Sequence, residues 1–368
     1  MTPIRFITYI SIFIMLVVMT TVSVNYIIDP YSIFGTRFFP NFGNPQERYL
    51  KIEYLKKNPN FNTFLIGSSL IGTVRTEDVD RNIPGANSYN LTLSQAHPQD
   101  IEKHTEWLLV NIPKLTHVII ELDWPAEYGV RNPGYAMLVQ DHPDISGRSK
   151  FGFLFDYLPA INAAALSLKI ERNSTDFQNI LQYNMSKGYW SRPYLDTAIE
   201  TDCNKYVANQ GSFSQKNNQP KKLNSAALIS DTLTSIERTK RLLEKKNVKL
   251  TLLLTPLNHV LLDTIDIADY EKLITELVKI TDFYNFMYYN SLTKNDCNFY
   301  ESYHYRPLVG ELLIRSLAEQ PREQSEIYRF VSKESVVRLI AYFRSNFGAS
   351  RNIPHLTGNP PFLQGSRK

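Results

Sequence analysis

Three regimes of hydrophobic and polar positions divide the chain. Residues 6–28, FITYISIFIMLVVMTTVSVNYII, run for 23 positions without a charge. At 1.5 Å per residue that length crosses a bilayer core of roughly 30 Å. No polar face interrupts the run, as one would in the core helix of a soluble protein. The apolar part is too long for a signal peptide, and residues 20–25 offer no small-x-small cleavage site, so the pattern predicts an uncleaved anchor. Arg5 and the amino terminus precede it and Asp29 follows it. That asymmetry predicts a cytoplasmic N-terminus and a single-pass protein whose main domain faces the periplasm or the exterior.

Residues 29–60, rich in Pro, Gly, Asn and aromatics, read as a membrane-proximal connector with one helix near 46–57. From there to about residue 320, short apolar runs alternate with amphipathic stretches. Strands are expected at 64–66, 88–91, 117–122, 249–255 and near 285–289. Helices are expected at 98–110, 225–246, 267–281 and 307–318, two of them opened by Pro98 and Pro307. Such alternation implies an α/β domain over 61–320, its parallel sheet covered on both faces and its ligand site at the carboxyl ends of the strands.

An insertion at 128–223 breaks the rhythm. Phe151, Phe153, Phe155, Tyr157, Tyr183, Tyr189, Trp190 and Tyr194 stand there among Asn, Ser and Gly without a sustained period. Two readings stay open: a packed helical insertion, or a cap whose aromatics stack on sugar rings. Residues 208–222 read as an exposed loop. The tail, 321–368, carries eight Lys/Arg against three Glu; its segment 335–347 reads as a basic amphipathic helix that either caps the sheet or lies on an anionic membrane.

Composition changes this picture little. Over 368 residues, 40 Lys and Arg face 36 Asp and Glu, a formal net charge of +4, which argues against a nucleic-acid partner. The only cysteines are Cys203 and Cys297. A thiol zinc site and a disulfide scaffold are thereby excluded, while one bridge or two free thiols remain open. No P-loop or dinucleotide fingerprint occurs, no metal site is expected from the histidines, and no cofactor is called for.

Two separated stretches carry chemistry. In NTFLIGSSL, residues 62–70, an apolar run stops at Gly67-Ser68-Ser69, the pattern of a buried strand delivering a serine into a tight turn. In FYESYHYRP, residues 299–307, Glu301 precedes His304 by three positions. A serine becomes a nucleophile beside a base, and imidazole is oriented by a carboxylate. Asp296 is an alternative acid to Glu301.

These pieces, with NYIIDPYSIF at 25–34, YNLTLSQAHP at 89–98 and HVIIELDW at 117–124, resemble in order the SGNH (GDSL-like) hydrolase superfamily. More narrowly, the chain looks like membrane-anchored bacterial SGNH-like proteins related to polysaccharide O-acetylation factors. The resemblance implies a three-layer, flavodoxin-like SGNH-type fold, with Ser69 as nucleophile, His304 as base and Glu301 in the place of the usual aspartate. It also implies an oxyanion pocket around Asn90, Thr92, Gln95 and Asp123. Thr92 and Gln95 stand where relatives tend to have glycine, and Asp123 where an asparagine donor is expected. His259, at the carboxyl end of the 249–255 strand, is a further pocket candidate.

Two functions follow as expectations. One is an envelope-facing esterase or O-acyltransferase in the bacterial inner membrane, acting on a polysaccharide or another acylated substrate, with a partner membrane protein supplying acyl groups. The other is a catalytically degenerate SGNH-like scaffold in polysaccharide assembly or export.

Overall fold

The computed structural model describes residues 2–36, 45–125, 136–160, 181–214, 225–323 and 325–346. The chain divides into one unit of Met1–Leu55 and Asn132–Leu181 and another of Lys56–Arg131 and Gln182–Lys368. The sequence-expected insertion is thus shared out, its first part joining the anchor and its second part the sheet. The larger part of the loop expected at 208–222, and the tail beyond residue 348, lie outside the described residues.

In the first unit the apolar run forms one helix, Pro3–Ile28, long and apolar enough to cross a membrane. It ends where Asp29 takes a left-handed backbone, φ 46°. The Asp29 carboxylate then accepts from the amides of Ile33 (2.8 Å), Phe34 (3.0 Å) and Gly35 (2.9 Å), closing the turn that would otherwise leave those donors bare. The Glu47–Lys57 helix starts in this unit, and Lys150–Tyr157 follows from the insertion. A small core of Tyr31, Ile33, Tyr49, Leu138, Phe153 and Tyr157 joins them. Arg48, fully buried, is matched by Asp141 at 2.6 Å, as a charge out of water requires.

The second unit is a six-stranded sheet. Its strands are β1 (Thr63–Gly67), β2 (Ser88–Thr92), β3 (His117–Leu122), β6 (Lys249–Leu254), β7 (Phe283–Asn285) and β8 (Arg329–Val331). A separate hairpin pairs β4 (Gln182–Tyr183) with β5 (Trp190–Ser191). The sheet order is β2-β1-β3-β6-β7-β8. The first five strands run parallel, with Thr63 beside both Ser88 and His117. This is a doubly wound order, with its switch point between β1 and β3, where such sheets open a crevice. Helices cover both faces. Pro98–Asn111, Ser225–Lys245 and Ile267–Ile280 form one group, and Thr76–Asn82 with Pro307–Ala318 another.

Local rules account for most of these elements. β1, β2 and β3 are buried along their whole length, as strands covered on both faces must be. Ile267–Ile280 buries Tyr270, Leu273, Ile274, Leu277 and Val278, a single stripe at helical spacing, and Asp266 caps its first amides. The tail forms the helix its pattern announced and a strand, β8, that it did not. β8 pairs antiparallel with β7, and Val336–Asn346 packs on Ile267–Ile280 with Arg344 donating to Glu271 at 2.9 and 2.8 Å. The tail helix therefore covers the sheet unit rather than standing off on its own.

Cys203 and Cys297 are joined in a disulfide that closes a separation of 94 positions. It ties the Cys203–Ala208 helix, from the insertion, to the Asp296–Asn298 turn. Such a bridge typically contributes about 2–4 kcal/mol, chiefly through the unfolded state. The Cys203→Ser/Cys297→Ser double variant should therefore unfold at lower denaturant, and the oxidised wild type should take up no maleimide until reduced; equal midpoints would show that the bridge carries no stability.

Candidate active site

Of the twelve residues from Thr63 to Val74, eleven are buried and only Ser69 is partly exposed. Its position is fixed by what surrounds the end of β1. A Cβ on Gly67 would sit 2.4 Å from Glu121 Oε2 and 2.9 Å from Glu121 Cβ, so only glycine fits there. The next amide, Ser68 N–H, donates to that same carboxyl at 3.1 Å. From the other side the Thr92 hydroxyl donates to the Ser68 carbonyl at 2.5 Å. Ser68 Oγ in turn accepts from Leu70 N–H at 3.2 Å and caps the 3-10 turn Ser69–Thr73. Backbone on both sides of Ser69 is thus held by β2 and β3, and its hydroxyl is left to face outward.

Residues 299–305 form a closed loop. Phe299 bridges Tyr305, and Tyr300 N–H donates to the His304 carbonyl at 2.8 Å. Inside it, Glu301 Oε1 accepts from the His304 amide at 3.1 Å and hydrogen-bonds His304 Nδ1. The other ring nitrogen, Nε2, lies 2.8 Å from Ser69 Oγ. A carboxylate on Nδ1 selects the tautomer that carries its proton there, so Nε2 accepts from the serine hydroxyl. Serine, imidazole and carboxylate thus stand in one hydrogen-bonded line across 235 positions of sequence.

The insertion supplies what sequence reasoning missed. Arg192, just after β5, donates to Glu301 Oε2 at 3.3 Å, with its guanidinium over Trp190 (5.5 Å) and Tyr300 (5.4 Å). Trp190 meets the His304 ring edge-on at 5.7 Å and packs on the 3-10 turn, where a Cβ on Gly72 would fall 1.9 Å from its Nε1. Trp190 is buried, which removes it as an open sugar-stacking platform. Burial alone would push the Glu301 carboxyl up, but the neighbouring imidazole and guanidinium outweigh it and hold the group below the ordinary range. Beneath the loop, Arg306 donates to Asp196 (2.8 Å) and Glu200 (3.0 Å) on the Pro193–Thr201 helix, and Tyr300 OH donates to Asp196 at 2.8 Å. No local motif marks Arg192; only three-dimensional pairing with Glu301 identifies it.

The remaining sequence candidates divide. Asp296 faces away from His304, accepting from Asn258 at 2.8 Å and pairing with His259 Nε2 at 3.1 Å. Neither Asp296 nor His259 therefore joins the Ser69 line. Both amide hydrogens of Asn90 go to the carbonyls of Ile71 (2.8 Å) and Val74 (2.9 Å), and Thr92 N–H donates to Asn90 Oδ1 at 3.0 Å. These two residues hold the 3-10 turn and the strand end rather than presenting donors outward. Gln95, half-buried three residues past β2, adopts a left-handed φ of 50°, the conformation glycine favours. His117 is buried against Thr251 at 2.9 Å, and burial with the Lys249 charge pushes its pKa down to about 4. Among the described residues no group of three or more His, Cys, Asp or Glu is arranged to hold a metal ion.

Asp123 lies beside Glu121, two positions apart on one face of the sheet, and accepts from Tyr303 OH at 3.1 Å. Glu121 is fully buried, and burial together with the Asp123 charge pushes its carboxyl well up, so it stays protonated where a solvated glutamate, near 4.5, is ionised. The signal was present in HVIIELDW: a carboxylate inside an otherwise apolar buried strand is there for a partner.

A test follows from that proton. Between the ordinary glutamate value and its own raised value the native state holds a proton that the unfolded state has lost, so Glu121 lowers stability as pH rises. The limit is about 1.4 kcal/mol per pH unit. Glu121→Gln keeps an acceptor for Ser68 N–H and a donor for Asp123 without the ionisation. Its stability advantage over wild type should be absent near pH 4 and grow towards pH 8 in denaturant titrations. A gap independent of pH would mean that Glu121 is charged in the fold.

No protein-family model matches the chain, and no curated protein matches it.

Proposed function

We propose that the chain is a membrane-anchored, SGNH-type serine esterase or O-acyltransferase whose nucleophile is Ser69. The observation that carries this is the single line from Ser69 Oγ through His304 Nε2, at 2.8 Å, to the Glu301 carboxylate. In the proposed reaction Ser69 Oγ attacks an acyl carbonyl while its proton passes to Nε2. Glu301, itself braced by Arg192, stabilises the imidazolium; the leaving oxygen then takes the proton. Water or a sugar hydroxyl, deprotonated by His304, opens the acyl-Ser69 ester in the second half. The Ser69 N–H, first in its 3-10 turn, is the donor this mechanism assigns to the oxyanion.

The setting rests on two supports. The Pro3–Ile28 helix is long and apolar enough for an anchor, and the Cys203–Cys297 bridge suits an oxidising compartment outside the cytoplasm. A bacterial envelope glycan as substrate, and a partner membrane protein as acyl donor, come from the family resemblance. A scaffold without catalysis is the second reading. It is favoured by the commitment of Asn90 and of the Thr92 amide to internal hydrogen bonds, which leaves the oxyanion poorly served.

Labelling of the detergent-solubilised full chain by a fluorophosphonate separates the two. The esterase reading expects one adduct at Ser69, abolished in Ser69→Ala and His304→Ala. In ester hydrolysis the double variant should be no slower than either single one, because groups acting as a unit are not additive. Glu301→Gln should fall less than either. Wild-type reactivity indistinguishable from Ser69→Ala would leave the scaffold.

A further inference from the structure

Two helices of the anchor-bearing unit meet at their C-terminal ends. Asn25, in the last turn of Pro3–Ile28, donates its side-chain amide to the carbonyls of Tyr157 (3.2 Å), Leu158 (2.7 Å) and Ala160 (3.1 Å). Tyr157 ends the Lys150–Tyr157 helix and Leu158 caps it, so Asn25 serves carbonyls that the helix end leaves open, and Ala160 just beyond it. The end of the second helix is therefore fixed at the level where the apolar helix runs out.

The outer face of that second helix is apolar. Phe153 and Tyr157 point into the core, whereas Phe151 and Phe155, four positions apart, are 78 % and 55 % exposed with rings stacked at 6.0 Å. Phe155 precedes Tyr157 by two positions, so it stands within about one helical turn, ~5 Å, of the Asn25 level. Tyr26, next to Asn25, is 49 % exposed as well. Aromatic rings gather at this depth where a protein leaves the hydrocarbon. The flanking cations are matched locally, Arg148 by Asp156 at 2.7 Å and Lys150 by Glu53 at 3.1 Å. What the surface offers is thus apolar insertion rather than attraction to anionic headgroups.

We propose that Lys150–Tyr157 is a second membrane contact, its Phe151 and Phe155 rings seated among the acyl chains of the same bilayer that Pro3–Ile28 crosses. This rests on the anchor reading given above. The occupant is lipid because Asn25 fastens the end of this helix to the last turn of the apolar one, beside the exposed Tyr26, within reach of the bilayer that helix crosses.

The native cysteines are paired, so single spin labels can be placed on the full chain through Phe151→Cys, Phe155→Cys, Leu16→Cys and Asp144→Cys. The variants are reconstituted into phosphatidylcholine vesicles, and collision with oxygen is compared with collision with a water-soluble nickel chelate. Labels at 151 and 155 should favour oxygen several-fold over the label at 144, approaching the label at 16, and anionic lipid should change this little. If 16 reports lipid while 151 and 155 report water, the inference fails and the anchor stands. If 16 itself reports water, the anchor reading fails and takes this one with it. Labels at 151 and 155 shielded from both reagents would assign the patch to a protein partner or a second copy, and would overturn the proposal. So would contact that appears only with anionic lipid.

Discussion

The close approach of β1 and β3 at Gly67 is the constraint on which the site depends. Glu121 occupies the space where a Cβ on residue 67 would stand, and the same carboxyl receives the Ser68 amide. Strand end and turn are therefore positioned by a buried acid one strand away, and Ser69 inherits that position. Retaining a proton keeps this affordable: an ionised carboxylate so deep, beside Asp123, would carry a large desolvation cost. The polar group is thus embedded in the sheet as a spacer and acceptor, and the serine needs no flexibility of its own to reach His304.

A second layer holds the imidazole. Glu301 and His304 sit in a short closed loop that could swing were it not tied from outside the sheet. Arg306 reaches Asp196 and Glu200, Tyr300 reaches Asp196, Arg192 reaches Glu301, and the disulfide fastens Cys297 to Cys203. Every one of those outside partners lies between residues 192 and 203. The irregular segment thereby does for the loop what β2 and β3 do for Ser69.

How much of this was legible follows the same division. Strands buried on both faces and helices with one apolar stripe announce themselves by period, and β1, β3 and the helices from Pro98 and Pro307 were readable to within a residue or two at either end. The Ser69, His304 and Glu301 candidates were readable because their chemistry is local in sequence: a strand stop at Gly-Ser-Ser and an acid three places before a histidine. β8 was not, since Arg329–Val331 is three residues long and gains its identity only from β7. Arg192, and the place of Trp190 beside His304, were hidden for the same reason, as their meaning lies in Glu301 and His304 more than a hundred positions away. Asn90 and Thr92 illustrate the opposite failure. Position in a motif suggested outward donors, whereas the hydrogen-bond count shows both spent on the turn beside them. The left-handed backbone at Gln95 is a trace of geometry that a glycine would adopt without cost.

The order in which the chain is made gives the 235-position span between Ser69 and His304 a temporal meaning. β1 is an inner strand whose neighbours lie 25 and 54 positions downstream, so a nascent chain can pair it early on both sides. The loop carrying His304 emerges 235 positions after Ser69, and long-range closure of that kind is slow. Until then Ser69 stands at the end of β1 with no imidazole beside it. The hydrogen-bonded line through Ser69 therefore cannot close until the downstream loop has been made and folded back onto it.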